Sequence, residues 1–97
     1  MSVSVILEVT AKPDCLEALK NTLEEILPDT RSFNGCKGVT VMSNQDNPLN
    51  LVLLETWSTR EHYEKYLAWR AERGDLEALA ALLSYEPSIR YFDSFAI

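Results

Sequence analysis

The run LNLVLLETW, Leu49 to Trp57, constrains this chain more than any other segment. Read with the period of two of a strand, it is apolar on both sides, with Leu49, Leu51 and Leu53 on one and Val52 and Leu54 on the other. Such a strand belongs inside a sheet that is covered on both faces. With 97 residues the chain is long enough for one domain, 1–97, with a modest core.

VSVILEVT (3–10) alternates Val3, Val5, Leu7 and Val9 against Ser4, Ile6, Glu8 and Thr10, a first strand. KPD then opens a helix, with Pro13 suited to its first position and Asp14 to its first turn. Leu16, Leu19, Leu23, Ile26 and Leu27 form its apolar stripe, and Pro28 ends or kinks it. CKGVTVMS reads as the second strand, joined to the third by the turn signal NQDNP. A second helix starts at Ser58, which has capping-box spacing with Glu61. Trp57 and His62 fall at the flanking positions that pack together across such a start. RGD around Gly74 breaks that helix, and a short third helix carries Leu76, Leu79, Leu82 and Leu83 until Pro87. SIRYFDSFAI is the last strand.

The order β-α-β-β-α-(α)-β predicts an α+β, ferredoxin-like fold: a four-stranded antiparallel sheet with its helices on one face. Those helices leave the other face bare, although Val52, Leu54 and Ile6 make it apolar. Packing against the sheet of an identical subunit would cover it, so a homodimer is expected.

Composition removes several functions. The net charge is −6 and no basic cluster interrupts it, so no nucleic-acid partner is expected. The N-terminus lacks the pattern of a signal peptide and no run reaches transmembrane length, so the expected setting is cytoplasmic with no membrane partner. Cys15 and Cys36 form no C-x-x-C pair and read as reduced thiols. One His and two separated Cys make no metal site. There is no Gly-rich phosphate loop and no nucleophile elbow, and no cofactor is implied.

The second helix is unusual. At about 100° per residue, Trp69, His62, Arg73, Tyr66, Arg70, Tyr63, Gly74 and Leu67 follow one another around one arc. Glu61, Glu64, Lys65, Ala68, Ala71 and Glu72 occupy the other side. Hydroxyl, imidazole and guanidinium groups all need partners when buried. The arc is either the wall of a polar-aromatic cavity or a packed face whose Arg and Tyr tips reach water. Glu8 is a further cavity candidate, with a solvent-facing strand position as the alternative.

NGCKGVTV, LNLVLLETWSTREHYEKYL and PSIRYFD together resemble the antibiotic biosynthesis monooxygenase family. The best local marker is the E-x-W of Glu55 and Trp57, followed by Tyr63 six residues after the Trp. The resemblance implies a dimeric α+β barrel and cofactor-free oxygenation. In the aromatic-polyketide branch the matching Trp and Tyr line the substrate cavity and an Arg holds an anionic substrate. Arg70 and Arg73 both compete for that role, and the branch's Asn is Leu53 here. The haem-degrading branch needs an Asn, a Trp and an iron-binding His where this chain has Glu8, Tyr66 and Leu76, so haem is not expected.

The leading expectation is a cofactor-independent monooxygenase for a small phenol, hydroquinone or related aromatic, with dioxygen as partner. His62 is the candidate base, being of the side-chain type that changes protonation near neutral pH. Tyr63 and Arg73 join it as catalytic candidates, with Arg73 or Arg70 stabilising an anion. Trp57, Tyr66 and Trp69 would surround the ring, with Tyr63. The alternatives are another small-molecule enzyme on the same scaffold, such as an isomerase or a degrader of a signalling metabolite, and a non-catalytic ligand-binding dimer.

Overall fold

The computed structural model describes residues 2–97. The elements are β1 (Val3–Thr10), α1 (Leu16–Ser32), β2 (Cys36–Ser43), β3 (Asn50–Trp57), α2 (Arg60–Arg73), α3 (Asp75–Ala80) and β4 (Ser88–Phe92). The strands form one sheet in the order β2-β3-β1-β4, antiparallel at every pairing. This is the ferredoxin-like α+β arrangement expected from the element order.

Cross-strand register sorts the side chains into two faces. The rows Val41–Leu53–Leu7–Ile89 and Val39–Glu55–Val5–Tyr91 lie on the side toward the helices. The rows Met42–Val52–Glu8–Ser88 and Thr40–Leu54–Ile6–Arg90 lie on the other. Toward the helices the core has two parts. Leu19, Leu23 and Leu27 of α1 pack with Val9, Val39, Leu51 and Leu53, while Tyr63 and Tyr66 of α2 pack with Val3, Val5 and Trp57. Each buried aliphatic side chain contributes about 1.5–3 kcal/mol by removal from water. On the bare face Met42, Leu54 and Phe92 are 44%, 41% and 43% exposed.

Several boundaries differ from those expected. α1 begins at Leu16, after a turn in which the Cys15 N–H donates to the Lys12 carbonyl, so Pro13 precedes the helix. It also runs through Pro28 to Ser32. An interior proline forfeits one helical bond. Here the next turn is held from outside, because Thr30 is buried and its hydroxyl lies 2.6 Å from that of Tyr66. The cap of α2 is Thr59, not Ser58. Its Oγ1 accepts the His62 N–H at 3.2 Å, and Trp57 meets Tyr63 instead of His62. Gly74 ends α2 in the left-handed conformation at φ 82°, where a residue without Cβ is favoured. α3 stops at Ala80, and the chain then pairs back onto the end of β1 through Ala11 and Leu83.

Candidate functional site

The site begins with the inward face of β3. Period-two alternation sends Leu51, Leu53, Glu55 and Trp57 to the same side, so a carboxylate enters an otherwise apolar row. Glu55 is 3% exposed, and Trp57 is fully buried beside it. The Trp57 indole N–H donates to Glu55 Oε1 at 3.0 Å. Burial pushes the Glu55 carboxyl up to about 7, against the opposing effect of that hydrogen bond.

Trp57 is enclosed by rings. Tyr63 stands edge-on to it at 5.4 Å between centroids, Tyr66 lies at 5.2 Å and Phe33 at 6.3 Å. Tyr91 of β4 meets Tyr63 edge-on at 5.8 Å. The Tyr63 hydroxyl is held well above its usual pKa, first by burial and then by the charges of Glu55, Tyr91 and Tyr66. It is therefore a lasting proton donor and not a base.

Between α2, α3 and the sheet lies a cleft of about 390 Å³, bordered by Leu7, Tyr63, Leu67, Leu76, Leu79, Ala80, Glu86, Pro87 and Ile89. Leu7, Tyr63, Leu67, Leu76 and Leu79 also border a smaller inner void of about 40 Å³, whose deeper wall includes Leu53, Glu55, Tyr66 and Arg70. The apolar outer cleft thus shares a wall with an inner void that a carboxylate borders. Among the described residues, no three of His, Cys, Asp and Glu gather to hold a metal ion.

The structure brings Trp57, Tyr63, Tyr66, Trp69 and Arg70 together and sets the other candidates apart. Arg70 is 2% exposed and its donors are engaged: Nε to the Tyr66 hydroxyl at 3.0 Å, Nη1 to Asp75 at 2.9 Å, Nη2 to the Ile26 carbonyl at 2.8 Å and to Thr30 Oγ1 at 3.3 Å. Burial works against its charge, but Tyr66 and Asp75 outweigh it and its pKa lies above the usual arginine value. Arg70 thus locks α1 to α2 instead of waiting for an anion. Arg73 is half-exposed, shares Asp75 with Arg70 at 3.0 Å and lies over the Trp69 ring, away from the cleft. The hydrogen bond from Arg70 leads the interactions that hold Asp75 below its usual range. Trp69 stacks near Phe33 at 5.3 Å and backs the aromatic cluster without bordering the cleft.

His62 faces away from the void. Its Nδ1 lies 2.7 Å from Thr59 Oγ1, and its ring packs so tightly on Gly35 that a Cβ there would overlap it. The helical twist that aligned His62 with Trp69 turns both toward the α1–β2 connection, His62 onto Gly35 and Trp69 onto Phe33. Glu8 lies on the bare face of the sheet, where it accepts from Asn50 Nδ2 at 3.1 Å and pairs with Arg90 at 3.5 Å. Sequence reading assigned no role to Glu55, although its inward position was implicit in the alternation. Thr30 and Tyr91 carried no local signal, because their partners are 36 and 28 residues distant.

A model of the family described as antibiotic biosynthesis monooxygenase matches residues 2–74. The chain belongs to this family. No curated protein matches it by sequence. A solved structure described as an antibiotic biosynthesis monooxygenase is 18% identical, with 96% of this chain and 98% of that one covered and a TM-score of 0.86. A conserved protein from Methanosarcina mazei is 20% identical, with coverage of 95% and 91% and a TM-score of 0.86. A Mycobacterium tuberculosis protein is 23% identical, with coverage of 100% and 98% and a TM-score of 0.78. At these identities the family and its neighbours share a fold with this chain, and the chemistry must be argued from its own site.

Proposed function

We propose that this protein is a cofactor-independent monooxygenase that oxidises a small phenol or hydroquinone in the cleft between its sheet and helices. The observation that carries the reading is the cleft itself, apolar along Leu67, Leu76, Leu79 and Ile89 and sharing its inner wall with the void that Glu55 borders. Membership of a family named for monooxygenation agrees with it. A phenol that loses its O–H proton becomes electron-rich enough to pass an electron to dioxygen. Recombination of the radicals at a free ring carbon and loss of water then give the quinone. The sum is one phenol plus one dioxygen to one quinone plus one water, with all electrons drawn from the ring.

The residues contribute the surroundings of that reaction. The aliphatic walls exclude water and favour an uncharged aromatic. Tyr63, held as the neutral phenol, supplies a hydrogen-bond donor to oxygen that becomes negative. Trp57, Tyr66 and Trp69 form the rigid backing on which Tyr63 rests. The subunits are proposed to pair through the bare sheet face, burying Met42, Leu54 and Phe92.

The test is oxygen uptake by the purified protein with 1-naphthol, with a chelator present and no flavin or nicotinamide added. One dioxygen consumed per 1,4-naphthoquinone formed is expected, and Leu67→Trp, which fills the cleft, should abolish it. No uptake above the uncatalysed rate with 1-naphthol or a related hydroquinone would overturn the reading. A buried carboxylate with no cation paired to it among the described residues also suits an enzyme that only moves a proton, such as an isomerase. Turnover without oxygen uptake would favour that second reading.

A further inference from the structure

We propose that Glu55 is the proton acceptor of this site, and that its free oxygen receives the O–H of a substrate that arrives uncharged. The inference rests on the phenol-oxidation reading for its substrate class, but its evidence is the geometry around Glu55.

The carboxylate is held at one oxygen only. Oε1 accepts the Trp57 indole N–H, while Oε2 accepts no hydrogen bond among the described residues. Yet no buried side-chain nitrogen or oxygen among the described residues is left without a partner. Oε2 therefore opens onto the inner void that Glu55 borders. That void, about 40 Å³, has room for a hydroxyl group or a water molecule and none for an aromatic ring. The outer cleft of about 390 Å³ has room for the ring. The two spaces share Leu7, Tyr63 and Leu67 in their walls, and the proposal places the ring in the cleft with its hydroxyl passing between these side chains toward Glu55.

The charges nearby fit no other role. Toward Glu55, α2 presents Tyr63, Tyr66 and Arg70, β4 presents Tyr91, β2 presents Cys36 and the start of α3 presents Asp75. α1 presents Leu23, Ile26, Leu27 and Thr30 to the void, and β1 presents Val5 and Leu7, none of which titrates in the ordinary range. Arg70 is spent on Tyr66, Asp75, Thr30 and the Ile26 carbonyl, and Glu55 has no ion-pair partner among the described residues. A buried carboxylate with no counter-ion is costly to fold around and serves structure poorly. It also repels an anionic ligand. A neutral phenol avoids that repulsion, since its O–H bond breaks, the proton passes to Oε2, the electron pair stays on the phenolate oxygen and the charge of the site is unchanged. Burial raises the carboxyl to about 7, which makes it a stronger proton acceptor for a phenol than an ordinary carboxylate.

The experiment measures the dissociation constant of phenol, with anisole as the partner that lacks the O–H, at pH 5.5 and pH 8.5. Phenol itself stays neutral across this range. In the native protein phenol should bind about tenfold more tightly at the higher pH, because it then donates to a carboxylate. Anisole should gain nothing, and Glu55→Gln, which keeps the volume and an acceptor for Trp57, should bind phenol equally at both values. Equal binding of phenol at the two pH values by the native protein, an identical gain by anisole or by Glu55→Gln, or no binding of phenol at all would overturn the proposal. A phenol gain confined to the native protein, without oxygen uptake on 1-naphthol, would remove the monooxygenase reading and leave Glu55 as the acceptor.

Discussion

The Trp57 indole N–H reaches back two residues along its own strand face to the Glu55 carboxylate, at 3.0 Å. Glu55 borders the inner void, and the energetics of the pair depend on pH. In the folded protein burial raises the pKa of Glu55 from its ordinary value of 4.5 to about 7. Below 4.5 both folded and unfolded chains hold the proton. Between 4.5 and 7 only the folded chain holds it, so the contribution of Glu55 to stability falls as pH rises and levels off above 7. Glu55→Gln should therefore gain stability over the native protein by up to about 3 kcal/mol at pH 8. Urea titrations at pH 4.5 and 8 should find that advantage small at the lower pH. An equal difference at both would refute the shifted carboxyl.

Removing the indole donor acts in the opposite sense to strengthening it. Trp57→Phe keeps a ring but withdraws the hydrogen bond that holds the Glu55 pKa down. The carboxyl of that variant should titrate at higher pH than in the native protein, as followed by carbon NMR of labelled glutamate. An unchanged or lowered titration point would show that the bond does not form.

The two arginines should behave differently. Arg70→Met leaves Asp75, Tyr66, Thr30 and the Ile26 carbonyl without their shared donor, and should cost about 3–5 kcal/mol in chemical denaturation. Arg73→Ala removes a half-exposed partner of Asp75 and should cost less than about 1 kcal/mol. Similar losses from the two would contradict the assignment of Arg70 to the lock between α1 and α2.

Gly35 combines φ +94° with the His62 ring at the place a Cβ would occupy. Gly35→Ala should destabilise by about 1–3 kcal/mol. Adding His62→Ala should recover the steric part but not the backbone part, giving a non-additive cycle in thermal melts. Strict additivity would separate the two residues.

A charge on the bare sheet face tests the proposed pairing of subunits. Leu54→Asp, at a residue 41% exposed in the single chain, should leave the fold intact and convert a dimer to a monomer in sedimentation equilibrium. A native protein that sediments as a monomer would remove the pairing.

The alternation of β1 and β3, the leucine stripe of α1 and the order of elements were legible in the sequence because each depends on neighbours one to four residues apart. The same locality explains the errors at α1 and α2. Pro28 reads as a stop, but buried Thr30 and its tertiary partners carry the helix past it. Ser58 and Thr59 are both adequate caps by type, and the choice fell to the one whose Oγ1 meets the His62 N–H.

At the site the division is sharper. Sequence alone determined that aromatics, Arg and His share one arc of α2 and that Glu55 lies on the inward side of β3. Those are consequences of the helical and strand periods. Only the tertiary structure decided that Arg70 is consumed by Tyr66, Asp75, Thr30 and Ile26, that His62 rests on Gly35, and that Glu55 has one oxygen unbonded among the described residues. A period fixes the direction in which a side chain leaves its own element. Whether it finds a partner there depends on what distant segments bring to the same place, and on how little water follows them.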